Sequence, residues 1–134
     1  VLSAVMVRVE ASDMRAESAL LAELFVEDMD GQLREFGVND VVVGKRIGKL
    51  MSVLGGRLGA YRVALNTGDL DKLTGAVARN VTFAEGADET ASAKAVAERL
   101  LKLSERLGRF SDAEIRGFIS VFNSERYHSI PKCY

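Results

Sequence analysis

The sequence predicts an all-α protein, a single compact domain of about six helices with a long central helix. Its 134 residues suffice for one hydrophobic core but not for two ordinary domains. The single proline, Pro131, lies near the end, so no proline interrupts a helix before it. Hydrophobic residues make up 48% of the chain and charged residues 28%, a balance typical of globular rather than disordered proteins.

Glycines and capping residues divide the first half of the chain into three helices. Residues 1–9 form an apolar helix with no capping residue before it, so we expect the natural chain to begin earlier. A second helix spans 17–36 and ends at Gly37, because glycine adopts a left-handed conformation at little cost. Asn39 caps the third and longest helix, which spans 40–66.

Three shorter helices follow. Asp69 is the expected cap of the fourth, and the fifth spans 89–107. Ser111 and Glu114 have the spacing of a capping box, which predicts the start of a sixth helix. That helix is expected to end near Phe122 and to complete the domain.

The domain is therefore predicted to span residues 1–122. Residues 123–134 lack helical periodicity and are predicted to be a loose tail or a non-native addition. This tail holds the only histidine, His128, and the only cysteine, Cys133. A catalytic triad, a two-histidine zinc site or an internal disulfide therefore has no residues from which to form.

Composition excludes several function classes. The net charge of -1 provides no general attraction for nucleic acid, so none is predicted as a partner. The apolar runs are too short for a membrane span. We find no catalytic constellation, so the sequence predicts a protein that is not an enzyme and that has neither a cofactor nor a metal site.

The third helix carries an apolar stripe and a flank of glycines. At about 100° per residue, the apolar residues share a stripe roughly 100° wide, as expected of a helix packed on a core. They are Ile47, Leu50, Met51, Leu54, Leu58, Tyr61 and Leu65. Beside this stripe lie Gly44, Gly48, Gly55 and Gly59. We expect them to allow close contact with another helix, either within the core or from a partner that binds in a shallow groove.

Charged residues supply two further features. Asp28 lies on the apolar side of the second helix, so we expect it to form an ion pair or a helix-cap bond within the fold, with Arg57 or Arg62 as candidate donors. Contact with a client is the alternative. Lys45, Arg46 and Lys49 form a small basic patch. The patch is either simply solvated or binds an acidic partner or lipid headgroups.

Several segments together resemble the ubiquinol-cytochrome c chaperone family, most closely its bacterial branch. They are DMDGQLRE at 28–35, GV at 37–38, VVGK at 42–45 and GGRLGAYR at 55–62. A looser similarity extends over 1–122. The resemblance implies a non-enzymatic assembly factor, since mitochondrial members accompany newly made cytochrome b into the respiratory bc1 complex, together with a small partner protein.

For this chain, the resemblance implies an apolar membrane-protein client such as cytochrome b, and a location in the cytoplasm or peripherally on the inner membrane. The residues that match the family's pattern, joined by the rest of the basic patch, are the predicted partner-binding set. They are Asp28, Asp30, Arg34, Lys45, Arg46, Lys49, Arg57 and Tyr61, and Gly37 also matches. The client is expected to bind beside the third helix.

Two other functions are open. A helical dimerisation or interaction module with an unrelated partner would use the same apolar and glycine-lined surface, and would form a homodimer without a client. An enzyme acting on an isoprenoid quinone would need a deep pocket with a perturbed titratable group. Asp28 is the one candidate for such a group.

Overall fold

Six helices form the structure, a computed structural model that describes the backbone of residues 1–129 and the side chains of residues 1–39 and 42–121. They are α1 (Leu2–Ala11), α2 (Arg15–Glu35), α3 (Asp40–Thr67), α4 (Leu70–Asn80), α5 (Glu89–Gly108) and α6 (Asp112–Ser129). The described backbone contains no strand, which confirms the all-α class and the long α3. None of the described helices combines the length and apolarity needed to cross a bilayer.

The predicted caps of α4 and α6 are confirmed. The Asp69 carboxylate accepts a hydrogen bond from the backbone N–H of Lys72 at 2.9 Å. At α6, the Ser111 backbone N–H donates to the Glu114 carboxylate at 2.8 Å, and the Glu114 N–H donates to the Ser111 hydroxyl at 3.3 Å. The bond from the Ser111 N–H holds the pKa of the Glu114 carboxyl below its ordinary value.

The main core lies where α3, α4 and α5 pack together with α1. Ala93 and Ala97 of α5 are completely buried, and these small side chains let α5 approach Leu73 and Val77 of α4 closely. The apolar stripe of α3 faces this core as predicted, with Leu54, Leu58, Tyr61 and Leu65 buried and Ile47, Leu50 and Met51 half-buried.

A smaller core holds α6 against the rest of the fold. Ile115 and Ile119 of α6 are 3% and 6% exposed and pack with Val9 of α1 and Met14, the residue before α2. Together with the ion pairs described below, this cluster fixes where α6 lies.

The structure corrects the predicted end of α6, which continues to Ser129 rather than ending near Phe122. Residues 123–129 contain neither glycine nor proline, so a helix continues through them even without an apolar pattern. Residues 130–134, including Cys133, lie outside the described part.

Candidate functional site

An open apolar groove of about 490 Å³ lies between α1, α2 and α6. Its lining residues come from three helices and the end of a fourth. They are Val1, Leu2 and Val5 near the start of the chain, Leu21, Leu24, Phe25 and Asp28 of α2, Leu107 of α5, and Ile115, Phe118 and Ile119 of α6. Asp28 is the one charged residue in this described lining. We call this feature the apolar groove.

Helical spacing explains the two longer walls of the apolar groove. On α2 the lining residues are spaced i, i+3, i+4 and i+7, and on α6 they are spaced i, i+3 and i+4. Each set therefore forms one stripe along its helix. The stripes are only partly covered because the helices leave space between them, and no residue of α2 is fully buried.

Two partly exposed aromatic residues, Phe110 and Phe118, lie on the α6 side of the apolar groove. Phe118 is 52% exposed and Phe110 is 37% exposed, although phenylalanine usually lies inside a protein. Their ring centres are 5.5 Å apart and the rings meet edge to face at 87°. This contact supports the Phe118 ring at the groove and leaves about half of its surface open for a binding partner.

Arg8 of α1 holds the chain segment before α6 in place. Its guanidinium donates to the backbone carbonyls of Leu107 at 3.3 Å and Phe110 at 2.9 Å, and it pairs with the Asp112 carboxylate at 2.9 Å. It also donates to the Ser12 hydroxyl. The hydrogen bond from Arg8 holds the pKa of the Asp112 carboxyl below its ordinary value.

A second ion pair ties α6 to α2. The Arg116 guanidinium donates to the Glu17 carboxylate at 2.8 Å. Side-chain exposure is 55% for Arg116 and 20% for Glu17, so water screens this pair. Arg8, whose side chain is 16% exposed, is the more protected of the two anchors.

A second cavity, of about 570 Å³, opens at the turn between α1 and α2. Its charged lining residues already have partners, since Glu10 pairs with Arg62 at 2.7 Å and Asp13 pairs with Arg15 at 2.7 Å. The apolar groove, with its almost wholly apolar walls, is therefore the better candidate site.

The predicted environment of Asp28 is wrong. Asp28 is exposed at the rim of the apolar groove rather than on the core side, and it accepts a hydrogen bond from the Gln32 amide at 3.1 Å. The two arginines that we expected to pair with it bind elsewhere. Arg57 donates to the Asn80 carbonyl at 2.9 Å, and Arg62 pairs with Glu10. The half-covered face of α2 leaves Asp28 in contact with water.

Tyr61 lies in the core, as the apolar stripe of α3 predicts, and its burial does not suit its place in the predicted partner-binding set. It is 6% exposed and packs in the main core, so the folded chain does not present its ring to a partner. Burial raises the pKa of the Tyr61 hydroxyl, although the nearby Arg57 charge opposes this. Tyr61 and Arg57 lie one turn apart on the same α3 face, and both contribute to the fold.

Asp30 and Arg34 pair with each other on α2 at 2.7 Å, and Arg34 is exposed. They lie one helical turn apart, which is the favoured spacing for such a pair. The structure brings only Asp28, of the eight predicted partner-binding residues, into the lining of the apolar groove. The remaining predicted residues lie on α2 outside the groove or on α3.

The glycine flank of α3 is open. A Cβ atom built at Gly44, Gly48, Gly55 or Gly59 would have no heavy atom of a neighbouring element within 4 Å. The prediction that these glycines allow close contact with another helix of the chain is therefore wrong for the part of the chain that the structure describes.

The substitution Gly48→Ala is expected to raise the free energy of unfolding by about 0.5–1 kcal/mol. Glycine loses more backbone freedom than alanine when a helix forms, and no described neighbour obstructs the added methyl group. Chemical denaturation of both proteins measures this difference. Gly37→Ala is the matched control and should destabilise, since Gly37 has a φ of +72°. Destabilisation by Gly48→Ala would show that another structure covers this face.

The groove-lining residues of α1 and α6 were not predicted. The i, i+3, i+4 spacing of Ile115, Phe118 and Ile119 could have indicated an apolar face on α6. Nothing in the local pattern indicates that this face lies beside Leu2 and Val5, more than a hundred residues earlier.

The fold and the apolar groove define a small helical protein with an open surface suited to binding another apolar molecule. The described side chains contain no group of histidine, cysteine, aspartate or glutamate residues that could hold a metal ion.

The chain belongs to the ubiquinol-cytochrome c chaperone family, whose sequence profile matches residues 2–122. The crystal structure of the Cbp3 homolog from Brucella abortus is similar, with a TM-score of 0.65 and 30% sequence identity. The match covers 84% of this chain and 61% of that chain, so this sequence spans less than two thirds of that protein. No curated protein matches this chain.

Proposed function

We propose that this chain is an assembly chaperone for the respiratory bc1 complex and that its client is an apolar helix of newly made cytochrome b. Membership of the ubiquinol-cytochrome c chaperone family supports the role in assembly. The observation that carries the proposed client binding is the apolar groove between α1, α2 and α6. In this proposal the client binds on a different surface from the one beside α3 that the sequence predicts.

Burial of apolar surface is enough for this function. Burying a leucine or phenylalanine side chain contributes about 1.5–3 kcal/mol, so two or three client side chains in the apolar groove supply several kcal/mol before the cost of association. Such binding is reversible, as a chaperone requires. It needs no nucleophile, metal or cofactor, so the proposed role is non-enzymatic.

The proposed location is the cytoplasm, with peripheral association at the inner membrane where the client is inserted. A small partner protein is the second proposed partner, and Asp30, Arg34 and Arg57 are the residues that we propose for protein contacts. Tyr61 is excluded from this set because it is buried.

The substitution Phe118→Glu is expected to lower the amount of cytochrome b that copurifies with the tagged full-length protein by at least about tenfold. The substitution removes an apolar contact and places a charge in the apolar groove, and 1.4 kcal/mol already corresponds to a tenfold change in affinity. Immunoblotting of protein purified from host membranes measures the ratio of client to chaperone.

Val63→Glu is the matched control, because Val63 is 56% exposed on α3, away from the apolar groove. It should retain normal copurification. Equal recovery of cytochrome b with Phe118→Glu and the unaltered protein, both folded, would show that the apolar groove does not bind the client.

A homodimeric interaction module is the second candidate, favoured by the open glycine flank of α3. It predicts a dimer without any client. Light scattering of the purified full-length protein gives the mass, and a stable dimer that Gly48→Glu dissociates while Phe118→Glu does not would favour this function over the first.

A further inference from the structure

The two helices of the α2–α3 hairpin differ strongly in charge. Six acidic and two basic residues lie on α2, whereas α3 has five basic residues and a single acidic one, Asp40, at its first position. The net charge of the whole chain is only -1, so this asymmetry is local. It gives the α3 side of the hairpin a positive potential.

Three of the α3 cations lie together. Lys45, Arg46 and Lys49 are all exposed, and at 100° per residue they fall within about 100° of one another on the helix. None of them makes an ion pair with another side chain in the described part of the chain. Their charges are therefore not neutralised by the fold.

Exposed valines and glycines accompany these cations. Val42 is 41% exposed and Val53 is 40% exposed, and both lie on the same side of α3 as Lys45 and Lys49. The neighbouring glycines add no side chains that would keep the helix away from a flat surface. We call the set Val42, Lys45, Arg46, Lys49 and Val53 the basic face of α3.

We propose that the basic face of α3 docks on the headgroups of an anionic bilayer. This inference rests on the proposed function, which includes peripheral association with the inner membrane. It names the surface of the protein and the class of lipid that make this contact. Cations interleaved with exposed apolar side chains are typical of helices that lie at a membrane surface. An acidic protein partner would also complement the positive charges. It would not, however, account for the exposed valines or for the open glycine flank of α3.

Docking through α3 leaves the proposed client site accessible. No α3 residue is among the described residues that line the apolar groove, which lies between α1, α2 and α6. The chaperone could therefore rest on the bilayer and hold a client helix at the same time. Membrane contact and client binding are separable by mutation.

The test is flotation of the full-length protein with vesicles of phosphatidylcholine alone or mixed with anionic phosphatidylglycerol. The protein should float with the anionic vesicles only. Each lysine or arginine near an anionic surface contributes about 1 kcal/mol, or roughly fivefold in partitioning. The triple variant Lys45→Gln, Arg46→Gln, Lys49→Gln should therefore bind on the order of 100-fold more weakly.

The matched control is Lys94→Gln, Arg99→Gln, Lys102→Gln on α5, which removes the same residue types and the same charge from exposed positions. It should bind almost like the unaltered protein. Added salt should release the unaltered protein, because exposed charges are screened over about 10 Å at 0.1 M ionic strength.

Three outcomes would overturn the inference. The unaltered protein could fail to float with anionic vesicles, the two triple variants could bind equally, or the α3 variant could bind vesicles normally while losing an acidic protein partner. A different result would separate this inference from the proposed function. If binding to anionic vesicles depends on the basic face of α3 but loss of the protein does not affect bc1 assembly, this inference is retained and the proposed function is rejected.

Discussion

Replacing Arg8 with methionine is expected to lower the free energy of unfolding by about 3 kcal/mol. Hydrogen bonds that involve a charged group each contribute about 1.5–3 kcal/mol, and Arg8 donates to two backbone carbonyls, those of Leu107 and Phe110. Methionine keeps much of the apolar stem but leaves the carbonyls of Leu107 and Phe110 without this donor. A domain of this size has a total stability of about 5–15 kcal/mol, so the effect is large.

Urea denaturation followed by circular dichroism measures the change. Arg116→Met is the matched control, because it removes only the exposed pair with Glu17, and such pairs contribute about 0–1 kcal/mol. If both variants have the same stability as the unaltered protein, Arg8 does not hold α6. If Arg8→Met loses client binding in the apolar groove but keeps its stability, Arg8 serves only to position Phe118.

Local signals in the sequence locate the six helices, although they end α6 too early. Asp69, Ser111 and Glu114 act through bonds to residues three positions away, so their spacing alone predicted the caps. Gly37 was likewise predictable, since a left-handed residue is needed where α2 ends, and its φ is +72°. The buried stripe on the second half of α3 follows from helical periodicity.

The candidate site could not be predicted in the same way, because it depends on which helices become neighbours. A helical wheel places Asp28 on the apolar side of α2, but it does not show that water reaches that side. The same limit applies to Gly48, where the pattern of small residues suggested a covering helix that the described chain does not supply. The contact of Phe118 with Phe110 and the anchoring of α6 by Arg8 both depend on tertiary packing.

The family resemblance led to the proposed function but not to the surface that is proposed to bind the client. Its segments lie on α2, on α3 and in the turn between them, and they include Tyr61, which is buried, and Asp28, which borders the apolar groove. A pattern shared by a family includes residues that maintain the fold as well as those that bind. The burial of each residue distinguishes those that maintain the fold from those that bind, and burial is known only from the structure.

The central claim is that this protein serves bc1 assembly by holding an apolar client in the groove between α1, α2 and α6. Deleting its gene in the host should lower the amount of assembled bc1 complex more than the total membrane protein. Full-length protein supplied in trans should restore the complex, and so should the Val63→Glu variant. The Phe118→Glu variant, present at a normal level, should not.

The most direct measurement is the amount of assembled bc1 complex in membranes of these strains, determined from reduced-minus-oxidised haem spectra and native gels. We expect the complex to be depleted in the deletion strain and in the strain with Phe118→Glu, while the Val63→Glu strain matches the wild type. Normal amounts of bc1 complex in the deletion strain, with no second family member in that host, would contradict the account.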